Sequence, residues 1–195
     1  MLRLAMSMRV VFASLIGVLT SLSSATALAQ SDWDIVLNGH SVHVNAAHEW
    51  NEENWGLGVE KEFNTSGRWV KVALANGFKD SQGEPSFMAG GGLKRRFRML
   101  SDNLYFDVGV IGFLMTREDV NSNEPFPGAL PALTFGSKRV AVNLTYMPEA
   151  VVGRVTNARL IDPDITGVFF LQLKLDASLF GFRGRSGLMA RGAAE

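Results

Sequence analysis

The 195-residue chain contains no cysteine. Disulfides and thiolate metal sites are excluded, so packing, hydrogen bonds and ion pairs must hold the fold together. Charge of one sign is missing too, since 19 basic and 19 acidic residues cancel. They are interspersed along the chain and leave no electrostatic footprint for nucleic acid. Beyond residue 30 there is no run of about 18 consecutive apolar residues, the length a membrane helix needs. Histidine is scarce, at 3, so imidazole chemistry has few candidates: His40, His43 and His48.

What is there begins with an export signal. MLRLAMSMR carries Arg3 and Arg9, VVFASLIGVLT is apolar, and SSATALAQ ends in small residues of the A-x-A kind. This is the pattern of a secretory signal peptide, residues 1–29, cleaved after Ala29. An uncleaved anchor is the competing reading, but the apolar run is short for a bilayer span. The remainder has the size of one domain, residues 30–180, with a C-terminal extension at 181–195.

From Asp34 onward apolar residues recur with period two between turn residues, which predicts strands. VFFLQLKLDASLF (168–180) is the clearest case. Phe169, Leu171, Leu173, Leu175, Ala177 and Leu179 share one face; Gln172, Lys174, Asp176 and Ser178 share the other. Strands are expected near 34–46, 54–63, 68–80, 85–99, 103–116, 131–136, 139–148 and 167–180. Tight connections (64–67, 100–103, 136–139) alternate with longer polar ones. Such alternation is the habit of a transmembrane barrel with short periplasmic turns and long external loops. Trp33, Trp55, Trp69, Phe97, Tyr105, Tyr146 and Phe180 fall near strand ends, as interfacial girdles do. The fold class expected is all-β, an eight-stranded antiparallel transmembrane β-barrel. Closure satisfies every backbone hydrogen bond in lipid, which an open sheet cannot do. A periplasmic sandwich or lipocalin-like barrel is the rival.

Small residues suggest a roomy interior. The third strand sets Ala73, Ala75 and Gly77 opposite Val70, Val72 and Leu74, and the fourth carries Gly90, Gly91 and Gly92 in succession. If Lys94 and Arg96 point inward, period two puts Gly90 and Gly92 on the same inner face. The upper interior would then be lined by small apolar groups. An eight-stranded barrel is otherwise filled by its own side chains. Trimming those leaves an apolar cavity suited to a hydrocarbon chain. The alternative is that the glycines only let the barrel coil tightly.

NEENWGLGVE, FKDS, AGGG, PFPGALP and NLTYMP, in this order and spacing from Trp55 to Pro148, resemble the outer-membrane lipid A palmitoyltransferases. The resemblance implies an outer-membrane barrel that moves a palmitoyl-like chain from a phospholipid donor to a lipid A acceptor. It implies no metal or soluble cofactor, and a monomer. It places Asp80 and Ser81 on the family's functional Asp-Ser pair and His43 on its histidine. Gly92 falls on the floor of the acyl pocket, and Pro131 and Pro148 on the proline pair that opens a lateral gate to the bilayer. Asn38 and Asn54 stand where the family has a second proline pair, which leaves a second opening without its usual device. The amphipathic helix expected before the first strand is missing, and Ala177 occupies the terminal aromatic position.

Acyl transfer needs a base for the attacking hydroxyl and stabilisation of an oxyanion. His43 is the candidate base, Asp80 the group that orients it, and Ser81 a nucleophile or a polar group for the transition state. On their own, Lys79, Asp80 and Ser81 are an ordinary polar strand end. His40 has the opposite parity to His43, so at most one of them points inward. Arg117, Glu118 and Asp119 read as surface charge, with contact to a lipid head group or divalent ions as the alternative. Two other functions remain open on the sequence: a non-catalytic small barrel serving adhesion, membrane integrity or lipid binding, and a lipid A deacylase.

Overall fold

Period-two alternation closes on itself. The computed structural model describes residues 32–64, 67–99, 103–118, 120–155 and 161–182. The predicted signal peptide and all but the first two residues of the C-terminal extension lie outside that range. The strands are β1 (Trp33–Val44), β2 (Glu53–Asn64), β3 (Trp69–Lys79), β4 (Pro85–Arg98), β5 (Leu104–Thr116), β6 (Phe126–Ser137), β7 (Val140–Pro148) and β8 (Gly167–Asp176). They form a closed antiparallel barrel in sequence order, with β8 paired back onto β1. A short helix α1 (Glu149–Val155) follows β7.

Three strand expectations need correction. β6 begins at Phe126 rather than at 131, and carries Pro127 and Pro131 inside it. The prolines are tolerated because only Ala132–Gly136 pairs with β7, so the upper half of β6 is an edge on that side. β8 stops at Asp176, whose side chain accepts the Ser178 N–H at 2.7 Å and caps a 3-10 turn over Ala177–Phe180. Ala177 is therefore buried rather than part of the outward face. In β3 the small residues face out: Val70, Val72 and Leu74 are buried, while Ala73 and Ala75 are exposed.

The exterior is apolar. Leu57, Val59, Phe87, Leu93, Val108, Val110 and Leu114 all point outward and exposed. At the short-turn end Lys61 Nζ sits 4.9 Å from the Trp33 ring and 5.2 Å from Phe63, and Arg95 lies over Trp69 and Phe97. Amphipathic aromatics beside cations mark a membrane–water boundary. Tyr105 is not in that girdle. It points inward, buried, under the Arg96 guanidinium 3.9 Å from its ring centroid.

The lower interior is polar and paired. Lys94 Nζ donates to Glu60 at 2.9 Å and to Thr134 at 3.2 Å, while Arg96 bridges Glu62 and Asp107. Asp34, Glu60 and Glu62 converge as closely as a cation site would require. The Lys174 ammonium already fills that position, at 3.1, 2.8 and 2.5 Å from the three carboxylates. Buried charges satisfied in this way make a plug rather than a metal centre. Above it the interior turns apolar, with Leu74, Phe78, Met88, Ile111, Phe113, Met115, Leu130 and Met147.

Candidate active site

All four long connections leave from the end of the barrel above this apolar layer: 45–52, 80–84, 117–125 and 149–166. His43 comes up on the inner face of β1, and Ser81 follows the end of β3. Their side chains meet, with His43 Nε2 3.0 Å from Ser81 Oγ, both residues buried. His40 faces outward instead, in keeping with its parity.

The first long loop holds the pair together. Asn51 donates its backbone N–H to Ser81 O at 2.9 Å and its side-chain amide to Asp80 O at 2.8 Å. Ser41 N–H donates to Glu52 O at 2.9 Å, so β1 stays tied to the loop where the β1–β2 ladder ends. This carries Glu52 to the imidazole. Its Oε1 accepts the His43 backbone N–H at 3.0 Å and lies 3.5 Å from His43 Nδ1.

Asp80, the group expected to orient His43, makes its contacts within its own loop and with Arg117. Its Oδ1 accepts the backbone N–H groups of Gln82 (2.9 Å) and Glu84 (3.1 Å), and its Oδ2 accepts Ser86 Oγ at 3.3 Å. Arg117 reaches the same oxygen at 3.6 Å. The carboxylate is thus the organiser of the β3–β4 loop, an Asx arrangement that fixes the backbone next to Ser81. Arg117 is not surface charge: it is buried, against the sequence expectation, and lines both the space around the dyad and the apolar cavity below. Asp119 lies outside the described residues.

Trp50 stacks on His43, and Asp162 from the last long loop fixes Trp50. Asp162 Oδ2 accepts the N–H groups of Ala47 (2.9 Å) and His48 (3.0 Å) and the Trp50 indole N–H (3.2 Å). Val152 of α1, Ile165, Met147 and Val168 line the same small space as the dyad and make its surroundings apolar. Nothing local in the sequence signals Trp50, Glu52 or Asp162, because each acts on a residue from another loop or strand.

Beneath the dyad is a cavity of about 60 Å³, lined by Leu74, Phe78, Met88, Ile111, Phe113 and Met115 among others. Three of its wall residues are methionines, Met88, Met115 and Met147, which can change rotamer to admit a longer guest. Gly92 faces inward as expected but does not line this space. A Cβ there would meet Val110 O at 2.4 Å and Ile111 Cγ1 at 2.9 Å, so its bareness serves the close approach of β5. The Ile111 side chain, opposite Gly92 in the β4–β5 register, is what closes the cavity at that level. The tight-coiling role of the glycines and the cavity thus coexist.

Pro131 and Pro148 flank a gap. The β6–β7 ladder ends at Ala132 and Thr145, leaving Phe126–Pro131 and Tyr146–Pro148 without partners across it. On the opposite wall the prolines are absent, yet the β1–β2 register also slips, at Gly39 between Asn38 and His40. An outer apolar groove of about 280 Å³ lies there, along Leu37, Trp55, Leu171 and Leu173.

Residues 28–158 match the family described as "Antimicrobial peptide resistance and lipid A acylation protein PagP". The chain belongs to the PagP family. Among curated relatives, the Lipid A acyltransferase PagP of Bordetella parapertussis is 30% identical over 151 residues, 64% of this chain and 82% of that protein. The Lipid A acyltransferase PagP of Bordetella pertussis (strain Tohama I) is 32% identical over 122 residues, covering 59% and 66%. That of Methylobacillus flagellatus is 31% identical over 124 residues, covering 60% and 66%. The PagP match takes in β1 to β7, and with them His43, Glu52, Asp80, Ser81 and the β6–β7 gap.

Proposed function

We propose that this protein is an outer-membrane acyltransferase that moves a long acyl chain from a phospholipid to lipid A. Family membership supports lipid A acylation, and the apolar exterior and polar plug suit a barrel embedded in the outer membrane. The observation that carries the reading is the His43–Ser81 contact of 3.0 Å placed directly above an apolar cavity.

The steps follow from that placement. A donor phospholipid enters sideways through the β6–β7 gap and lays one acyl chain into the cavity. Its ester carbonyl then lies beside Ser81. His43 Nε2 takes the Ser81 Oγ proton as Oγ attacks the carbonyl carbon, and the same imidazole returns the proton to the departing lysophospholipid oxygen. A lipid A hydroxyl, deprotonated by His43 in turn, attacks the acyl carbon and displaces Oγ, to which His43 returns the proton, restoring the free serine as the chain leaves on lipid A. Arg117, between dyad and cavity, adds positive charge near the developing oxyanion. Met88, Met115 and Met147 adapt to the chain, and Ile111 over Gly92 sets its depth.

Mass spectrometry of lipid A tests this, in a strain lacking the activity and complemented with wild type or Ser81→Ala. A long-chain acyl mass gained with wild type and lost with Ser81→Ala is expected. No gain with a barrel folded in the outer membrane would sink the reading.

A further inference from the structure

We infer that Glu52, rather than Asp80, is the carboxylate that positions His43, completing a Ser81–His43–Glu52 relay across three segments of the barrel rim. The inference rests on the reading of Ser81 and His43 given above and names their third partner. Glu52 Oε1 takes the His43 backbone N–H at 3.0 Å and stands 3.5 Å from Nδ1, while Nε2 faces Ser81. Among the described residues the buried Nδ1 makes no hydrogen bond in the resting site, and the Glu52 carboxylate at 3.5 Å is the acidic group beside it. Asp80 is committed elsewhere, with both oxygens engaged by Gln82, Glu84, Ser86 and Arg117.

A carboxylate facing Nδ1 selects the tautomer with its proton on that nitrogen. Nε2 is then the lone-pair nitrogen, and it is the one that faces Ser81 Oγ, as a base must. The imidazole cannot swing away, because Trp50 lies stacked against it and its own backbone N–H is held by the same carboxylate. Glu52 Oε2 lies 3.9 Å from His40 Nε2 on the outer side. The carboxylate thus lies between two imidazoles, and only the buried one reaches the serine.

The contact at Nδ1 is longer than a good hydrogen bond. Such contacts are commonly loose in resting sites and tighten when substrate binds. The half-exposed Glu52 side chain, against an imidazole only 3% exposed, fits a loop that settles as the site fills.

The test uses the full barrel refolded in detergent, with 15N-labelled histidine and with steady-state kinetics on phospholipid and lipid A. His43 signals are assigned by their loss in His43→Asn. In wild type, the His43 resonances are expected to report the proton on Nδ1. In Glu52→Gln that tautomer preference is lost, and kcat falls about 100-fold or more while KM stays within about threefold, the pattern of a lost orienting group. Glu52→Asp recovers part of kcat. Heat-modified gel mobility verifies that each variant is folded. A Glu52→Gln barrel that keeps kcat within about threefold and an unchanged tautomer overturns the inference. Should wild type prove inactive on lipid A, the acyltransferase reading fails, and the wild-type tautomer still decides whether Glu52 positions His43.

Discussion

Trp50 lies nearly parallel over His43, with ring centroids 5.5 Å apart and planes 17° from parallel. The indole belongs to the first long loop and its N–H is bound by Asp162 of the last, so the two loops meet over the proposed base.

Asp162→Ala is accordingly expected to slow acyl transfer by roughly tenfold, since it removes the acceptor of three hydrogen bonds and frees Trp50. The barrel below should keep its urea midpoint, because the clasp joins loops and not strands. Kinetics beside urea unfolding check both halves. A lowered midpoint with unchanged activity per folded molecule would point to a purely structural clasp.

Acid should open the same clasp. The His48 N–H, with those of Trp50 and Ala47, holds the Asp162 carboxyl below its ordinary range. A depressed carboxyl stabilises the folded loops fully above the unfolded value of about 3.9, and that contribution is lost as pH falls through the lower folded value. The loops therefore stay clasped at pH 5 to 7 and loosen below about pH 4. The difference in tryptophan fluorescence between wild type and Trp50→Phe, followed on acidification, reports it. Asp162→Asn should lack the transition; the same transition in that variant would assign it to another group.

Lys174→Met leaves Asp34, Glu60 and Glu62 buried without their shared ammonium. The loss is expected at about 3–5 kcal/mol, the usual cost of stranding buried charge. Urea unfolding in detergent measures it. A loss under about 1 kcal/mol would mean that water or Lys94 replaces the missing cation.

Closing the β6–β7 gap should stop the reaction. Continuing the register of Ala132 with Thr145 sets Pro131 across from Tyr146. Since the chain has no cysteine, Pro131→Cys with Tyr146→Cys introduces the sole thiol pair. Oxidation is expected to reduce acyl transfer at least about tenfold, and reduction to restore it. Full activity of the cross-linked barrel would place donor admission elsewhere, the Gly39 break being the next route to test.

The barrel was legible because its signals are local. Alternation in β8 separates Leu171, Leu173 and Leu175 from Gln172 and Lys174 residue by residue, and the turn lengths repeat that alternation around the chain. The parity of His40 and His43 was equally local, and it holds. β6 was read too short because Pro127 and Pro131 weaken a strand signal; what tolerates them is a missing neighbour, which no window of sequence contains. Tyr105 was read as girdle by its place near a strand end, yet its parity and the Arg96 beside it put it inside.

The sequence by itself determined that there are eight strands, their order, and the facing of most residues along them. These follow from period two and from the positions of the turns. Only the tertiary structure decided which carboxylate lies beside the imidazole. Asp80 is adjacent to Ser81 in sequence but is consumed by its own loop, whereas Glu52 reaches His43 because the first long loop folds back across the barrel mouth. Closure likewise decided that Arg117 is buried beside Asp80 and that Ile111, not a bare Gly92, closes the cavity at that level. Contacts of this kind depend on side chains converging from strands far apart in the chain, and periodicity carries no information about them.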